Sequence, residues 1–324
     1  IRKNLGDSIG WFRKGLEGSQ DYDLFLRISQ KTKAIYHIKK VLYHWRTIPG
    51  STADSIEAKS YITNSSIQAL QDHLNAQNIQ ATVEISPLVP GTYRIRHNLK
   101  THPLVSIVVP FCDHPELLEQ LLQSMRQTDY PNYEIILVSN NSKLPKTFEL
   151  LSRWEQAESN ISWHRYDVPF NFSDINNWAI REHAKGELVL LLNNDIEIIH
   201  PDWLTELVSL QVRKKVGAVG CKLLFPNDTI QHAGIIMGMG GVAGHPHKCI
   251  HAKEYGYFGR ANLLGSCRRC EQSAHRLHPL PIQPASNLHL PIQDCSGILS
   301  AADPSHSRYT VPALPRALCL CYTF

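Results

Sequence analysis

The sequence has no long hydrophobic run and little excess of either charge. Of its 324 residues, 43% are hydrophobic and 19% are charged, and the formal net charge is +4. No stretch approaches the roughly 20 consecutive apolar residues that a membrane-spanning helix requires. A charge this small gives no argument for nucleic-acid binding. We therefore expect a soluble, cytoplasmic protein, with peripheral association at the inner face of a membrane left open.

Cysteine is scarce over most of the chain. Of eight cysteines, only Cys112, Cys221 and Cys249 occur before residue 267. This usage does not make a disulfide framework and is ordinary for a reducing compartment. Residues 267–324 contain no lysine and show no sustained periodicity. We expect residues 265–324 to be an irregular tail, either disordered or frameshifted.

The middle of the chain alternates between strand and helix patterns. Apolar runs predict buried strands at residues 104–110, 134–138, 161–165, 187–192 and 216–221. Helical periodicity predicts helices at residues 115–127, 146–155, 173–184 and 203–212. Ser173 is the predicted N-cap of the third helix. Strands that alternate with helices in this way predict an α/β fold with a mostly parallel sheet.

Ligands of such sheets bind beyond the carboxyl ends of the strands. The residues that follow four of the predicted strands are polar, namely residues 110–114, 139–142, 167–172 and 193–197. Asp195 and Glu197 come directly after the fourth strand, where carboxylate oxygens suit a divalent cation that holds a diphosphate. The alternative is that Asp195 caps the next turn and Glu197 is merely solvated. The residues alone leave both interpretations open.

Three sequence blocks carry a family resemblance. They are VSIVVPFCDHPELLEQLLQSM at 105–125, YPNYEIILVSNNS at 130–142 and GELVLLLNNDIEIIHPDWL at 186–204. Together they resemble a family 2 glycosyltransferase with the GT-A fold, over about residues 103–262. IQHAGIIMGMGGVAGHPHK, at 230–248, further resembles the rhamnosyltransferase-like subgroup that builds bacterial O-antigen and other surface polysaccharides.

The resemblance implies a Rossmann-like domain that transfers a sugar, with inversion, from a nucleotide-sugar donor to a saccharide or lipid-linked acceptor. It implies Mg²⁺ or Mn²⁺ as cofactor, with Asp195 as the metal ligand. The donor-binding positions that it implies are Pro110, Phe111, Asp113, Ser139, Asn140, Asn141, Asn193 and Asn194. Ser139, Asn140 and Asn141 stand where family members usually carry an acidic residue for the base or ribose.

Further positions follow from the same resemblance. His232 and His245 would approach the diphosphate or the acceptor. Asn171, Ser173, Asn176 and Asn177 are candidates for the sugar-donor pocket, and helix capping is their alternative role. GWFRKGLEGSQDYDLFLRIS, at 10–29, resembles the segment of a GT-A domain that carries the catalytic acid, with Asp21 as the match. A carboxylate there would act as general base on the acceptor hydroxyl. The alternative is that Asp21 is one of the acidic residues that the helix dipole favours at a helix N-terminus.

The order of these segments predicts a tandem arrangement, because the acid-bearing end precedes the nucleotide-binding start. We expect residues 1–55 to be the C-terminal fragment of an upstream GT-A domain, and 56–102 a linker with a helical segment. Residues 103–264 are then a second GT-A domain, incomplete at its C-terminal end. The alternatives are a catalytically inactive fragment and a non-enzymatic nucleotide-binding α/β module. The sequence does not indicate an oligomeric state.

Overall fold

A computed structural model describes residues 1–44, 60–86, 91–213, 216–238, 243–254 and 316–319. The chain forms two compact units, Ile1–Asn98 with Lys253–Asn262, and Leu99–Ala252 with Leu263–Phe324. Among the helices in these described ranges, none has the length and apolar character needed to span a membrane.

The first unit combines three helices with a hairpin. Its helices are α1 Lys3–Ile9, α2 Gln20–Lys31 and α3 Ser60–Ala76, and its antiparallel strands are β1 Ala81–Ile85 and β2 Tyr93–His97. The helix predicted within residues 56–102 is therefore present, whereas the hairpin was not predicted. The hydroxyl groups of Ser19, before α2, and Ser66, on α3, share a buried 2.7 Å hydrogen bond. This bond helps to hold the two helices together.

The second unit is built on a parallel sheet. Its strands and helices in chain order are β3 Val105–Phe111, α4 Pro115–Met125, β4 Tyr133–Ser139, α5 Pro145–Ala157, β5 Ile161–Arg165, α6 Phe172–Glu182, β6 Leu188–Leu191 and α7 Trp203–Gln211. Four short strands and one further sheet strand follow: β7 Leu223–Leu224, β8 Ile230–His232, β9 Ile236–Met237, β10 Ala243–Gly244 and β11 Arg316–Cys319. The sheet order is β11-β6-β3-β4-β5, and every pair in it is parallel. The predicted α/β fold with a mostly parallel sheet is confirmed.

Both faces of this sheet are covered, which explains why its central strands are mostly apolar. Successive side chains of a strand point to opposite faces. Ile107 and Val109 of β3 therefore pack into one hydrophobic cluster with residues of α4, α5 and α7, while Val108 packs with Ile175 and Ala179 of α6 on the other face. A strand buried on both sides has no polar face, so it appears in the sequence as a continuous hydrophobic run.

The strand predicted at residues 216–221 is wrong. Val216 and Val219 are buried in the core, as their apolar character requires. The Gly217 carbonyl, however, accepts a 3.0 Å hydrogen bond from Gln211 Nε2 and not from a neighbouring strand. The place beside β6 is taken by β11, which lies in the segment predicted as an irregular tail. The rest of that tail lies outside the described residues.

The predicted cap of α6 is also wrong. The N-cap is Asn171, whose side-chain oxygen accepts a 3.1 Å hydrogen bond from the Asp174 amide. Ser173 lies inside the first turn. Asn and Ser are comparable N-cap residues, so the type of residue could not distinguish the two positions.

Candidate functional site

The carboxyl ends of β3, β4 and β6 meet at one edge of the sheet. Phe111 pairs with Ser139 at the ends of β3 and β4. The Leu192 amide, just after β6, donates a 3.0 Å hydrogen bond to the Val108 carbonyl of β3. The polar residues that follow these strands are therefore brought to a common edge, as the sequence predicted.

Asp195 lies in the turn that follows β6, and its side chain is exposed. It makes no hydrogen bond or ion pair with any residue that the structure describes. It therefore does not cap the turn, which was the alternative interpretation. Glu197 is not merely solvated either, because its Oε2 accepts a 3.0 Å hydrogen bond from Gln120 Nε2. Asn193 and Asn194, the preceding residues, are half-buried.

The loop that carries Asp195 is anchored to α4 and to Gln127, which lies two residues beyond the end of α4. The Ile198 amide donates a 3.0 Å hydrogen bond to Ser124 Oγ, and the Ile198 carbonyl accepts one from Gln127 Nε2. With Glu197 also bonded to α4, three contacts fix the loop two to three residues beyond Asp195. The Asp195 carboxylate therefore lies on a backbone segment that hydrogen bonds of the next residues hold in place.

Asp113, after β3, is bonded to the protein itself. Its Oδ1 accepts hydrogen bonds from the Leu144 amide at 2.9 Å, the Thr147 hydroxyl at 3.0 Å and the Lys143 amide at 3.1 Å. Its own amide donates to Ser142 Oγ at 2.9 Å. The Leu144 amide has the largest effect in lowering the pKa of Asp113, with Lys143 and Thr147 adding to it against the opposing effect of burial. The carboxylate acts as a cap for the first turn of α5.

Asn140 and Asn141 join β4 to the loop after β5. Asn140 Nδ2 donates to the carbonyls of Tyr166 and Val168 at 2.8 and 2.9 Å. Asn141 Nδ2 donates to the same Val168 carbonyl at 2.7 Å. Asn141 has a left-handed backbone with φ of 61°, which asparagine tolerates better than most residues. The donor groups of both amides are therefore used inside the protein.

The other predicted donor-binding positions on β3 and β4 are mostly enclosed. Ser139 is fully buried, and its hydroxyl has no hydrogen-bond partner among the described residues. The Phe111 side chain lies in the core, and its carbonyl accepts a 2.9 Å hydrogen bond from the Asn140 amide. Pro110 is half-buried. The side chains of these residues help to build the edge of the sheet.

His232 and His245, which are 13 residues apart, are brought together. Their Nδ1 atoms are 2.8 Å apart, and their ring planes are inclined by 74°. One ring must donate and the other accept, so at least one imidazole is neutral. Burial, and then the neighbouring His245, lower the pKa of His232 to about 4. At neutral pH His232 is therefore uncharged.

Asp21 and Asp23 lie in the first turn of α2, in the first unit, and have different surroundings. Asp23 is buried and forms ion pairs with Arg13 and Arg27. Burial alone would raise the pKa of Asp23, but the hydrogen bonds and charges of the two arginines together lower it. Asp21 is exposed, and among the described residues its Oδ1 accepts a local 2.8 Å hydrogen bond from the Tyr22 amide. Asp23 thus supports the fold, and Asp21 is the carboxylate accessible to a ligand.

One acidic residue at the sheet edge was included in a polar stretch that the sequence analysis noted, residues 167–172, but was assigned no role there. Asp167 follows β5, and its carboxylate accepts hydrogen bonds from the Asn141 amide at 2.8 Å and from Arg165 Nε. The Arg165 guanidinium, followed by the Asn141 amide, lowers the pKa of Asp167. Its position two residues after a predicted strand was the signal that could have identified it as a candidate site residue.

A parallel sheet with polar residues at its carboxyl edge places the Leu99–Ala252 unit among the α/β ligand-binding domains. Residues 106–252 match glycosyl transferase family 2. This segment is a family 2 glycosyltransferase domain, as the resemblance of its sequence blocks predicted.

Three relatives are similar to this chain over different shares of their own length. The chain is 46% identical over 248 residues to the O-antigen biosynthesis protein RfbC of Myxococcus xanthus, which covers 76% of this chain and 19% of RfbC. It is 41% identical over 258 residues to the uncharacterized protein y4gI of Sinorhizobium fredii, which covers 79% of this chain and 28% of y4gI. It is 26% identical over 134 residues to the putative colanic acid biosynthesis glycosyl transferase WcaA of Escherichia coli, covering 41% of this chain and 45% of WcaA.

The chain therefore spans only a small part of RfbC and of y4gI.

Among solved structures, it is similar to the mannosyltransferase PcManGT from Pyrobaculum calidifontis in complex with GDP-Man and Mn2+. The identity is 24% and the TM-score 0.36, over 40% of this chain and 38% of that chain.

Proposed function

We propose that this chain is part of an enzyme that transfers a sugar, with inversion, from a nucleotide-sugar donor to a saccharide or lipid-linked acceptor in surface polysaccharide synthesis. The observation that carries this proposal is the free carboxylate of Asp195 at the carboxyl edge of a family 2 domain. Similarity to an O-antigen biosynthesis protein and to a putative colanic acid transferase supports the polysaccharide context.

Asp195 fits a Mg²⁺ or Mn²⁺ ion that arrives with the donor. The described residues contain no group of three or more His, Cys, Asp or Glu side chains that could hold an ion. One carboxylate supplies few of the six or more oxygen ligands that such ions take, so the diphosphate and water must provide the others. When bound, the ion would neutralise charge on the leaving diphosphate. The role of Asp195 is to hold that ion at the end of β6, with Asn193 and Asn194 next to the donor.

The remaining roles are assigned to groups that the structure leaves accessible or pairs together. Asp21 is proposed as the general base of the domain to which the first unit belongs, because its carboxylate is exposed whereas Asp23 is paired with arginines. His232 and His245 are proposed to approach the diphosphate or the acceptor. His232 is buried, and His245 is the more exposed ring of the pair.

Calorimetric titration of UDP, dTDP and GDP with and without Mn²⁺ tests the metal role. We expect Asp195→Asn to weaken Mn²⁺-dependent binding at least about tenfold, or about 1.4 kcal/mol. Glu197→Gln is the matched control, because its side chain faces Gln120 and can still accept that bond. Equal affinities of Asp195→Asn and the wild type would exclude the metal role, and a wild type that binds none of the three nucleotides would exclude donor binding.

Sugar transfer or donor hydrolysis separates an enzyme from the two alternatives. An active wild type that loses its rate in Asp195→Asn, while its unfolding temperature is kept, supports the transferase. Nucleotide binding without any turnover would favour the inactive fragment or the non-enzymatic module.

A further inference from the structure

The side chains that line the ends of β3 and β4 are largely used by the protein itself. The Asp113 carboxylate caps α5, and the amide donors of Asn140 and Asn141 hold the loop after β5. A nucleobase that lies over β4 therefore needs other partners. The loop after β5 is the adjacent segment, and it carries two side chains with capacity for a ligand.

Asp167 is the first of these two side chains. Its carboxylate is held from two sides, by the Asn141 amide and by Arg165, yet a third of its side-chain surface is exposed (33%). Each carboxylate oxygen can accept a second hydrogen bond, so Asp167 can still accept from a ligand. The Arg165 guanidinium lowers the pKa of Asp167, so the group is ionised at neutral pH. It is a fixed acceptor next to the end of β4.

Phe170 is the second side chain of this loop that can contact a ligand. It lies three residues further along the same loop, and 75% of its surface is exposed. The loop between the two residues is fixed, because the Val168 carbonyl accepts hydrogen bonds from both Asn140 and Asn141. An exposed aromatic ring on a held backbone offers a flat apolar face. Such faces stack on nucleobases of every type.

The sheet order sets the distance between this loop and Asp195. In the order β6-β3-β4-β5, neighbouring strands are about 4.8 Å apart, so β6 lies about 10 Å from β4 and about 14 Å from β5. A nucleoside diphosphate laid across this edge, with its phosphates at Asp195, extends its base toward β4 and β5. The base then reaches the loop of Asp167 and Phe170.

We propose that Asp167 and Phe170 form the nucleobase site of the donor, an inference that rests on the proposed function. Phe170 stacks on the base, and Asp167 accepts a hydrogen bond from a ring N–H. A carboxylate only accepts. Where it faces the ring nitrogen of the pairing edge, it therefore favours uracil, thymine and guanine, which carry an N–H there, over cytosine and adenine, whose ring nitrogen is an acceptor and which offer only an exocyclic amino group. Asp167 is thus a carboxylate that selects the nucleotide.

The test is a calorimetric series with Mn²⁺, in which UDP, dTDP, GDP, CDP, ADP and base-free pyrophosphate are titrated separately. We expect a uracil, thymine or guanine nucleotide to bind best. Asp167→Asn keeps an acceptor for the Asn141 amide, and should weaken that nucleotide by roughly tenfold to a hundredfold, the loss expected for a hydrogen bond to a charged group. Phe170→Ala should weaken all five nucleotides by about tenfold. Neither substitution should change pyrophosphate affinity.

Arg165→Gln is the matched control, because it breaks the same ion pair but keeps the carboxylate. It should change nucleotide affinity far less than Asp167→Asn, and an equal loss would show that Asp167 acts only by holding the loop. Unchanged nucleotide binding in Asp167→Asn overturns the base site while the proposed function stands. Absence of binding of all five nucleotides to the wild type overturns both.

Discussion

Asp113, after β3, accepts a 2.9 Å hydrogen bond from the backbone amide of Leu144, which directly precedes α5. These two residues are 31 positions apart. The bond connects the loop after β3 to the loop after β4, and Asn140 and Asn141 connect the latter to the loop after β5. Three loops at the carboxyl edge of the sheet are thus joined by side-chain to backbone hydrogen bonds, which fixes their geometry.

Replacing Asp113 should loosen this connection. We expect Asp113→Ala to lower the unfolding temperature and to speed hydrogen exchange at the amides of Lys143 and Leu144, which lose their acceptor. Glu149→Ala, an exposed acid on the same helix, is the control and should change neither quantity. Hydrogen exchange followed by mass spectrometry or NMR makes the comparison. Unaltered exchange at both amides would contradict the capping role.

The same bond has a definite pH dependence. The folded-state pKa of Asp113 is lowered below its ordinary value of 3.8. The carboxylate therefore stabilises the fold above about pH 3.8, and this contribution is lost as pH falls through the lowered folded pKa. The difference between the wild type and Asp113→Ala should shrink below that pH.

The sheet could be predicted from the sequence because burial on two faces leaves a direct trace. Most buried residues of β3 and β4 are apolar, whichever face they point to, and Ser106 and Ser139 are the exceptions. The sequence of a strand does not show which other strand it pairs with in the sheet. Val216 and Val219 satisfy the pattern of a strand by being buried, but their segment joins no ladder, and β11 occupies the edge beside β6.

The candidate site shows the same difference between features set by neighbouring residues in the sequence and contacts with residues far along the chain. The place of Asp195 after β6 could be predicted because the sequence displays it, whereas its role as a metal ligand stays a prediction. The bonds of Asp113 and Asn140 could not, because their partners are about 30 residues away and only the folded chain brings them together. Residue type and position therefore identified candidates, whereas the hydrogen bonds distinguish the groups that remain free from those that hold the loops.

Gly186 is required where the chain enters β6. A Cβ atom at this position would lie 2.6 Å from the Leu104 carbonyl oxygen, 2.7 Å from the Ser106 amide nitrogen and 2.8 Å from the Leu188 carbonyl oxygen. All three are backbone atoms, which cannot move aside without disturbing the sheet. We expect Gly186→Ala to lower the free energy of unfolding by about 1–3 kcal/mol, as overpacking does.

Gly217→Ala is the control for this substitution, because nothing lies within 4 Å of a Cβ at that position. It should change the free energy of unfolding by no more than about 0.5 kcal/mol. Urea unfolding of both variants at one pH provides the measurement. Similar stabilities of the two variants would mean that the backbone around Gly186 adapts.

The pair of His232 and His245 should make stability depend on pH. Burial, followed by His245, lowers the folded-state pKa of His232 from 6.5 to about 4. The unfolded chain therefore binds this proton at a higher pH than the folded chain does. Stability from the neutral imidazole is complete above pH 6.5 and is lost as pH falls from 6.5 toward 4. The loss should reach about 2 kcal/mol by pH 5.

His232→Asn tests this dependence, because the variant cannot take up the proton at that position. Urea unfolding of the wild type at pH 7 and pH 5 should show the larger decrease, and the decrease in His232→Asn should be smaller by about 2 kcal/mol. His200→Gln, at an exposed histidine of the same unit, should behave like the wild type. If His232→Asn loses as much stability as the wild type between the two pH values, the buried ring is not the group that titrates, and the 2.8 Å contact with His245 does not keep it neutral.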